Sequence, residues 1–289
     1  MLYYILGILI VGVFLYGLLT VISIYESKRL TVTHYKVSSG NIPKAFHGVK
    51  LAVLSDLHNH TFGTDNQRLL RAIDEEDPDY IFMTGDILVA KPGKSLDIAV
   101  SLGNALIKKY PVFYAEGNHE YRMRIYEDVY QGMHKEYISS LSQNVHWLIN
   151  EKVFLERGGE RIAVYGLSID RKYYRRFSRK RMDALYLQNM LGEKGEEYTV
   201  LLAHNPDYFP CYAAWGAELT LSGHLHGGLI RVPVLGGLLS PMIRCLPKYD
   251  KGRFERNGKL MILSGGLGTH TINFRINNIP EILIIELEG

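Results

Sequence analysis

The chain has 289 residues, of which 47% are hydrophobic and 22% are charged, and its 33 Lys and Arg against 30 Asp and Glu give a formal net charge of +3. This length and apolar share suit one large domain or two small ones, and they exclude a disordered or fibrous chain. The two cysteines, Cys211 and Cys245, exclude a disulfide framework and a cysteine-rich zinc site but not a single bridge, and their low number favours a reducing compartment.

The N-terminal residues 1–25 are predicted to form a membrane anchor. Leu2 to Tyr25 carries no charge, and a helix of this length covers about 36 Å, enough for a hydrocarbon layer of about 30 Å. A cleavable signal peptide is the alternative, but the segment lacks a basic beginning and a small-residue cleavage site, and its apolar run is too long. Lys28 and Arg29 follow the segment, which favours a single-pass protein of the cell membrane with its folded domain in the cytoplasm.

Beyond this anchor, residues 26–48 are interpreted as a juxtamembrane segment with a first strand, and residues 49–289 as one α/β domain. A helix is predicted over residues 65–77, with Asp65 as its cap and Pro78 at its end. A hairpin is predicted around Gly158 and Gly159. The remaining predicted strands cover residues 49–56, 79–86, 111–119, 145–150, 152–157, 161–168, 198–204, 218–224, 261–266 and 280–288, and the remaining predicted helices cover 94–110, 182–191 and 207–215.

Five polar clusters each follow directly on a predicted strand: Asp56-Leu57-His58, Gly85-Asp86, Gly117-Asn118-His119-Glu120, Ala203-His204-Asn205 and residues 223–228, GHLHGG. The carboxyl ends of strands line the ligand crevice of an open α/β sheet, so we expect these clusters to converge. The i, i+2 spacing of Asp56 with His58, and of His224 with His226, directs both side chains of a pair the same way if the local backbone is extended.

The donor atoms in these clusters indicate a metal site. Two carboxylates, four imidazoles and one amide oxygen, without a thiolate, suit Mn²⁺, Fe or Zn²⁺ better than Cu(I) or an iron–sulfur cluster. Seven protein ligands exceed the need of one tetrahedral ion. Two ions about 3.5–4 Å apart would use them well, and that arrangement recurs in phosphate-ester hydrolysis.

The ordered blocks D-x-H, G-D, G-N-H-E, H and G-H-x-H resemble the calcineurin-like metallophosphoesterase family, over nearly the whole domain from Val49 to Leu287. The stretches SDLHNHTFGTDNQRLL, PKYDKGRF, GGLGTH and PEILIIEL resemble its membrane-anchored bacterial branch, close to the UDP-2,3-diacylglucosamine diphosphatase-like and cell-wall-associated phosphoesterases. The resemblance implies a four-layer α/β/β/α sandwich that holds two divalent ions from among Mn, Fe, Zn and Mg, with Mn favoured.

The resemblance also implies a role for each matched residue. The first metal would be held by Asp56, His58 and His226, the second by Asn118, His204 and His224, and Asp86 would bridge both. His119 would be the acid that protonates the leaving oxygen, and the neighbouring Glu120 is a candidate to orient it. Val89 and Leu229 stand where the family often has Asp and Gln, which leaves the substrate preference in question.

Further histidines and a basic segment are weaker candidates for contact with the substrate or the membrane. His60 and His270 are candidates for substrate contact, the alternative being a capping or loop role, whereas surface or hydrogen-bonding roles are expected for His34, His47, His134 and His146. Residues 170–181, DRKYYRRFSRKR, hold seven Lys or Arg and one acid. We interpret this segment, with Arg175 and Arg176, as a membrane-facing or phosphate-recruiting lip. A solvated loop is the alternative, and nucleic acid is a weaker partner.

The sequence thus predicts a dinuclear metal-dependent phosphohydrolase that cleaves a phosphoester or pyrophosphate bond of a membrane-proximal substrate, lipid-linked or a nucleotide sugar. A cyclic-nucleotide or soluble phosphodiesterase is an alternative that would differ in pocket shape. A catalytically silent membrane-tethered scaffold is a further alternative, disfavoured because no ligand or acid position is substituted.

Overall fold

The computed structural model describes residues 1–141, 144–175, 180–269 and 273–289. The helices in these ranges are α1 (Leu2–Ser27), α2 (Gln67–Glu76), α3 (Asp97–Ile107), α4 (Asn118–Ile125), α5 (Glu127–Tyr130), α6 (Met133–Ser140), α7 (Ala184–Leu191) and α8 (Phe209–Trp215). The strands are β1 (Thr31–Ser38), β2 (Lys50–Leu54), β3 (Tyr80–Met83), β4 (Val112–Tyr114), β5 (Val145–Trp147), β6 (Glu151–Arg157), β7 (Glu160–Leu167), β8 (Thr199–Ala203), β9 (Leu219–Ser222), β10 (Ile230–Val232), β11 (Gly236–Leu239), β12 (Gly252–Arg256), β13 (Lys259–Leu263) and β14 (Glu281–Glu288).

The strands form two six-stranded sheets and a separate hairpin. The first sheet has the order β1-β14-β2-β3-β4-β5, in which β2 to β5 run parallel and β14 is antiparallel to β2. The second has the order β12-β13-β9-β8-β7-β6, with parallel pairing from β13 to β7 and antiparallel strands at both edges. The β10-β11 hairpin stands apart from both sheets.

The two sheets pack face to face, and helices cover their outer faces. In β2 the side chains alternate with the period of two that a strand imposes: Leu51 and Val53 join the core between the sheets, whereas Ala52 and Leu54 join the core under α2 and α3. A third core packs α7 and α8 against the other face of the second sheet. The predicted four-layer α/β/β/α fold is confirmed.

Several elements that lead to the polar clusters begin or end at other residues than the sequence predicted. The strands expected over 49–56, 79–86 and 111–119 end at residues 54, 83 and 114, because the backbone turns sharply before each cluster. Asn118 and His119 lie in the first turn of α4 rather than on a strand end. The predicted cap was wrong: Asp65 has a φ of 49° in a short 3₁₀ turn, and α2 begins two residues later without a side-chain cap.

Helix α1 extends from the domain with its apolar side chains exposed. In the part of the chain that the structure describes, it is the one helix long and apolar enough to cross a membrane. Its last two turns differ, because Ser23 is buried and Glu26 and Ser27 are partly buried against the domain. Helix α1 therefore ends in a segment that is docked on the domain.

Candidate metal centre

Five of the seven predicted ligands lie in tight left-handed turns that follow the strands. Asp56, His58, Asp86, His224 and His226 have φ values of 52°, 49°, 55°, 74° and 52°. The extended backbone assumed for the two i, i+2 pairs is therefore wrong, and left-handed turns bring their side chains together. Such conformations cost about 1–3 kcal/mol each in non-glycine residues and concentrate at functional sites.

One group of donors forms around Asp56. The Oδ1 atom of Asp56 lies 3.3 Å from Nε2 of His226 and 3.7 Å from Nε2 of His58, and the two Nε2 atoms are 3.2 Å apart. The Nδ1 atom of His226 donates to the carbonyl of Gly268 at 2.9 Å. This hydrogen bond leaves the Nε2 lone pair directed at the centre of the group, as a metal ligand requires.

A second group forms around Asp86. Its Oδ2 atom lies 3.1 Å from Nε2 of His204 and 3.8 Å from Nε2 of His58, so the two groups adjoin. The Nδ1 atom of His204 donates to the carbonyl of Thr84 at 2.7 Å, which directs Nε2 toward Asp86. Donor atoms of Asp86, His204 and His224 all lie within 4.8 Å of one another.

A bound divalent cation would satisfy the donor atoms of this cluster better than hydrogen bonds among themselves do. Within the described ranges, Oδ1 of Asn118 is buried and has no hydrogen-bond partner. A buried amide oxygen without a partner costs free energy that a bound cation would recover. Together with the inward-facing imidazole nitrogens and two carboxylates, this oxygen completes a donor set suited to Mn²⁺, Fe or Zn²⁺.

The electrostatics of the cluster keep its carboxylates ionised. Burial opposes ionisation of Asp56 and Asp86, but the surrounding imidazoles outweigh it and hold the pKa of both carboxyl groups below the usual range. Burial also lowers the pKa of His204, yet Asp86 and Asp56 raise it to about 9. Burial, followed by the charge of His204, lowers the pKa of His224 to about 3. The site thus holds preformed negative charge beside a neutral imidazole.

His119 lies beside both groups on the first turn of α4. Its Nδ1 accepts a hydrogen bond from the backbone N–H of Ala90 at 2.8 Å, and a guanidinium nitrogen of Arg122 lies 2.9 Å from the same atom. Nε2 therefore carries the ring proton, 3.9 Å from Oδ2 of Asp86. Arg122 was not predicted, although its place three residues after His119 on a helix was a usable signal.

Glu120 supports the loops of the site. Its buried carboxylate accepts hydrogen bonds from the backbone N–H groups of Asp86, Ile87 and Gly117 and from the hydroxyl of Tyr114, at 2.8–3.0 Å. Burial, reinforced by the charge of Asp86, raises the pKa of Glu120 to about 7. These contacts fix the turns that carry Asp86 and Asn118, while Ala90 and Arg122 hold the ring of His119.

A cavity of about 450 Å³ opens next to His119 and His224. Its wall holds four cationic side chains, namely Lys91, Arg122, Arg171 and Arg175. The predicted Arg175 thus faces the site, whereas Arg176 and His270 lie outside the described residues. His60 lies elsewhere, because its Nε2 is 3.0 Å from the carbonyl of Ser27 at the end of α1.

The family model that matches the chain agrees with this geometry. Residues 49–228 match the family described as calcineurin-like phosphoesterase. An uncharacterized metallophosphoesterase of Bacillus subtilis, YkuE, is 24% identical, with 91% of this chain and 87% of YkuE covered. A transmembrane protein with metallophosphoesterase domain of Danio rerio is 27% identical over 89% of this chain, which spans 57% of that protein. The solved phosphopantetheinyl hydrolase of Mycobacterium tuberculosis has a TM-score of 0.45 and 13% identity, with 77% and 91% of the two chains covered.

The family match covers more than half of the chain, and it spans all five polar clusters that the fold brings together. The chain belongs to the calcineurin-like phosphoesterase family, as the ordered blocks indicated, and is a metal-dependent phosphoesterase.

Proposed function

We propose that the chain is a membrane-anchored, dinuclear phosphohydrolase whose substrate carries a phosphoester or pyrophosphate group close to the bilayer. The observation that carries this proposal is the joining of two donor groups through His58 and Asp86 beside a cation-lined cavity. Helix α1 supplies the anchor, and its flanking Lys28 and Arg29 favour a cytoplasmic domain.

The proposed ligands divide into two sets. Asp56, His58 and His226 would hold one cation, Asn118, His204 and His224 would hold the other, and Asp86 lies between the sets. Bound divalent cations supply Lewis acidity: they neutralise phosphoryl oxygens and make water acidic enough to react near neutral pH. The donor chemistry favours Mn²⁺, with Fe, Zn²⁺ and Mg²⁺ as the other candidates.

His119 acts as the proton donor to the leaving oxygen. Its Nδ1 is occupied by the N–H of Ala90, so the ring proton sits on Nε2 at the edge of the cavity. A leaving alkoxide or phosphate departs more easily when it receives a proton. Arg122, in contact with the same ring, fixes the orientation of the donor.

The cavity wall favours a substrate with more than one phosphate, or with an additional anionic group. Lys91, Arg171 and Arg175 line the cavity and add positive charge beyond the proposed cations, which suits a second phosphate or another anionic group. The ring of Tyr174, whose centroid is 5.2 Å from that of His224, borders the same space. A lipid-linked or nucleotide-sugar diphosphate is compatible with the positive charge of the cavity wall and with an enzyme that is anchored in a membrane.

A metal-loading and turnover experiment tests the proposal. The full-length protein in detergent is stripped with a chelator, reloaded with Mn²⁺, Mg²⁺ or Zn²⁺, and assayed for metal content and for hydrolysis of a chromogenic phosphodiester and of lipid and nucleotide-sugar diphosphates. We expect two ions per chain, and we expect Asp86→Ala and His119→Ala each to lower turnover by at least 100-fold. His34→Asn, on an exposed histidine, is the matched control. Two bound ions without mutation-sensitive turnover would instead support a silent scaffold.

A further inference from the structure

The β10-β11 hairpin and the loop after it carry an exposed apolar surface. Beyond residue 27, five of the eight large apolar side chains that are exposed in the described part of the chain fall in this short stretch: Val234, Leu235, Leu238, Ile243 and Leu246. The loop folds back on β11, because the N–H of residue 246 donates to the carbonyl of residue 238 and residue 245 bridges residue 239. The five side chains therefore belong to one local structure, which we call the apolar loop, residues 233–246.

The apolar loop is tied to the docked end of α1 through residues 273–278. The N–H of Arg231 in β10 donates to the carbonyl of Ile276 at 2.9 Å. In the same segment, the N–H of Arg275 donates to Oγ of Ser23 at 2.8 Å, and the N–H of Asn278 donates to the carboxylate of Glu26 at 3.1 Å. Residues 273–278 thus contact both the end of α1 and the β10-β11 hairpin.

If α1 spans the membrane as proposed, its point of attachment to the domain lies near the membrane surface. About 20 helical residues cross a hydrocarbon layer of about 30 Å, and the uncharged run of α1 ends at Tyr25, directly before Glu26, Lys28 and Arg29. Ser23 is buried against the domain, so the domain contacts α1 where the helix leaves the hydrocarbon. With α1 inserted as proposed, elements held beside this contact would lie at the level of the lipid headgroups.

Positive charge flanks the apolar loop. Lys248 and Arg253 are exposed next to Val234 and Leu235, and all four border the same surface depression. Apolar side chains flanked by Lys and Arg are typical of elements that lie in the interface of a bilayer with anionic lipids. The same surface is unfavourable in water, where large exposed apolar patches are rare.

We propose that the apolar loop inserts into the interface of the membrane that holds α1, as a second contact between the domain and the bilayer. This inference rests on the membrane insertion of α1 in the proposed function but not on the identity of the substrate. Pro241 and Met242 of the loop also line the cavity beside His119. The loop therefore joins the lipid surface to the rim of the site, and a lipid-linked substrate can reach the cavity without leaving the interface.

A lipid-quenching experiment on the full chain in nanodiscs with anionic lipid tests this inference. An NBD fluorophore is attached to the native, exposed Cys245 in a Cys211→Ser background, and lipids with doxyl groups on their acyl chains serve as the quencher. Two matched sites are labelled in a background without native cysteines: Phe14→Cys in the middle of α1, and Glu156→Cys at the far end of the second sheet. We expect quenching at 245 to be at least three-fold stronger than at 156.

The outcomes separate the loop from the anchor. Quenching at 14 with no more quenching at 245 than at 156 would overturn the inference and leave the anchor intact, whereas absence of quenching at 14 would overturn both. Self-quenching between two labelled copies without lipid quenching would assign the apolar loop to a dimer contact and also overturn the inference. Val234→Asp combined with Leu235→Asp is expected to halve the lipid quenching at 245 and to leave hydrolysis of a soluble phosphodiester unchanged.

Discussion

The substitution Arg275→Met tests how the domain supports its site. The guanidinium of Arg275 is fully buried and donates to the carbonyls of Gly265, Gly266, Gly268 and Asn278 at 2.8–3.1 Å. After the substitution, two of these carbonyls keep other donors: the N–H of residue 281 for Gly266, and the ring of His226 for Gly268. The carbonyls of Gly265 and Asn278 lose the donor that the described contacts give them.

The expected loss of folding stability follows from these two carbonyls. An unsatisfied buried carbonyl costs about 1–3 kcal/mol, which gives about 2–6 kcal/mol for the pair. Removal of a buried charge recovers part of its desolvation cost, so a net loss of about 2–4 kcal/mol is expected. Each kcal/mol lowers the Tm of a domain of this size by about 2–4 °C, so the Tm of Arg275→Met should fall by roughly 4–16 °C.

Thermal unfolding of the full-length protein in detergent measures this change, with Arg256→Met as the control on an exposed arginine. Because Gly268 orients His226, Arg275→Met is also expected to weaken metal binding by about 10–100-fold in a calorimetric titration. A Tm within 2 °C of the parent protein would show that the carbonyl contacts do not support the domain, and the argument would fail.

Three further predictions concern the loops and the metals. Gly85→Ala should destabilise the domain by about 3–5 kcal/mol in urea unfolding, because φ is 93° at this position and a Cβ would overlap the backbone of Gly117; Gly40→Ala, where a Cβ meets open space, should change stability little. Glu120→Gln should cost about 2–4 kcal/mol, since an amide cannot accept the hydrogen bonds of both carboxylate oxygens; unchanged unfolding and metal affinity would refute this role. Chelation should lower stability by about 2.7 kcal/mol relative to protein with metal at 100 times its Kd, and a Tm insensitive to metal would contradict the proposed centre.

The fold and the convergence of the site could be predicted because their signals are local. Each polar cluster follows an apolar strand, and parallel strands bring their carboxyl ends to one edge of a sheet. The conformation of the clusters was not predictable in this way. Asp56 and His226 adopt left-handed backbone at positions that are not glycine, and nothing in the local pattern distinguishes such a turn from an extended strand end.

The supports of the site were missed because they depend on contacts between distant residues. In the sequence, Arg275 cannot be distinguished from an ordinary charged residue of a loop. In the structure, its backbone contacts Ser23, which lies 252 positions earlier. Glu120 could be recognised as part of a motif, but its hydrogen bonds to the turn at Asp86 required the fold. Burial of a charged group with many backbone partners is a property of three-dimensional packing, so a single sequence did not indicate it.

The segment after residue 273 links the anchor to the metal site through a few hydrogen bonds. The backbone N–H of Asn278 holds Glu26 at the end of α1, and its side-chain amide donates to the carbonyls of His226 and Gly228 at 2.6 and 2.7 Å. A flexible linker would let the domain rotate freely beneath the membrane, whereas this link makes the end of the anchor part of the support of a proposed ligand. The docking of α1 therefore fixes the position of the site relative to this helix, and in the proposed membrane-anchored protein it would hold the site at a constant orientation to the bilayer.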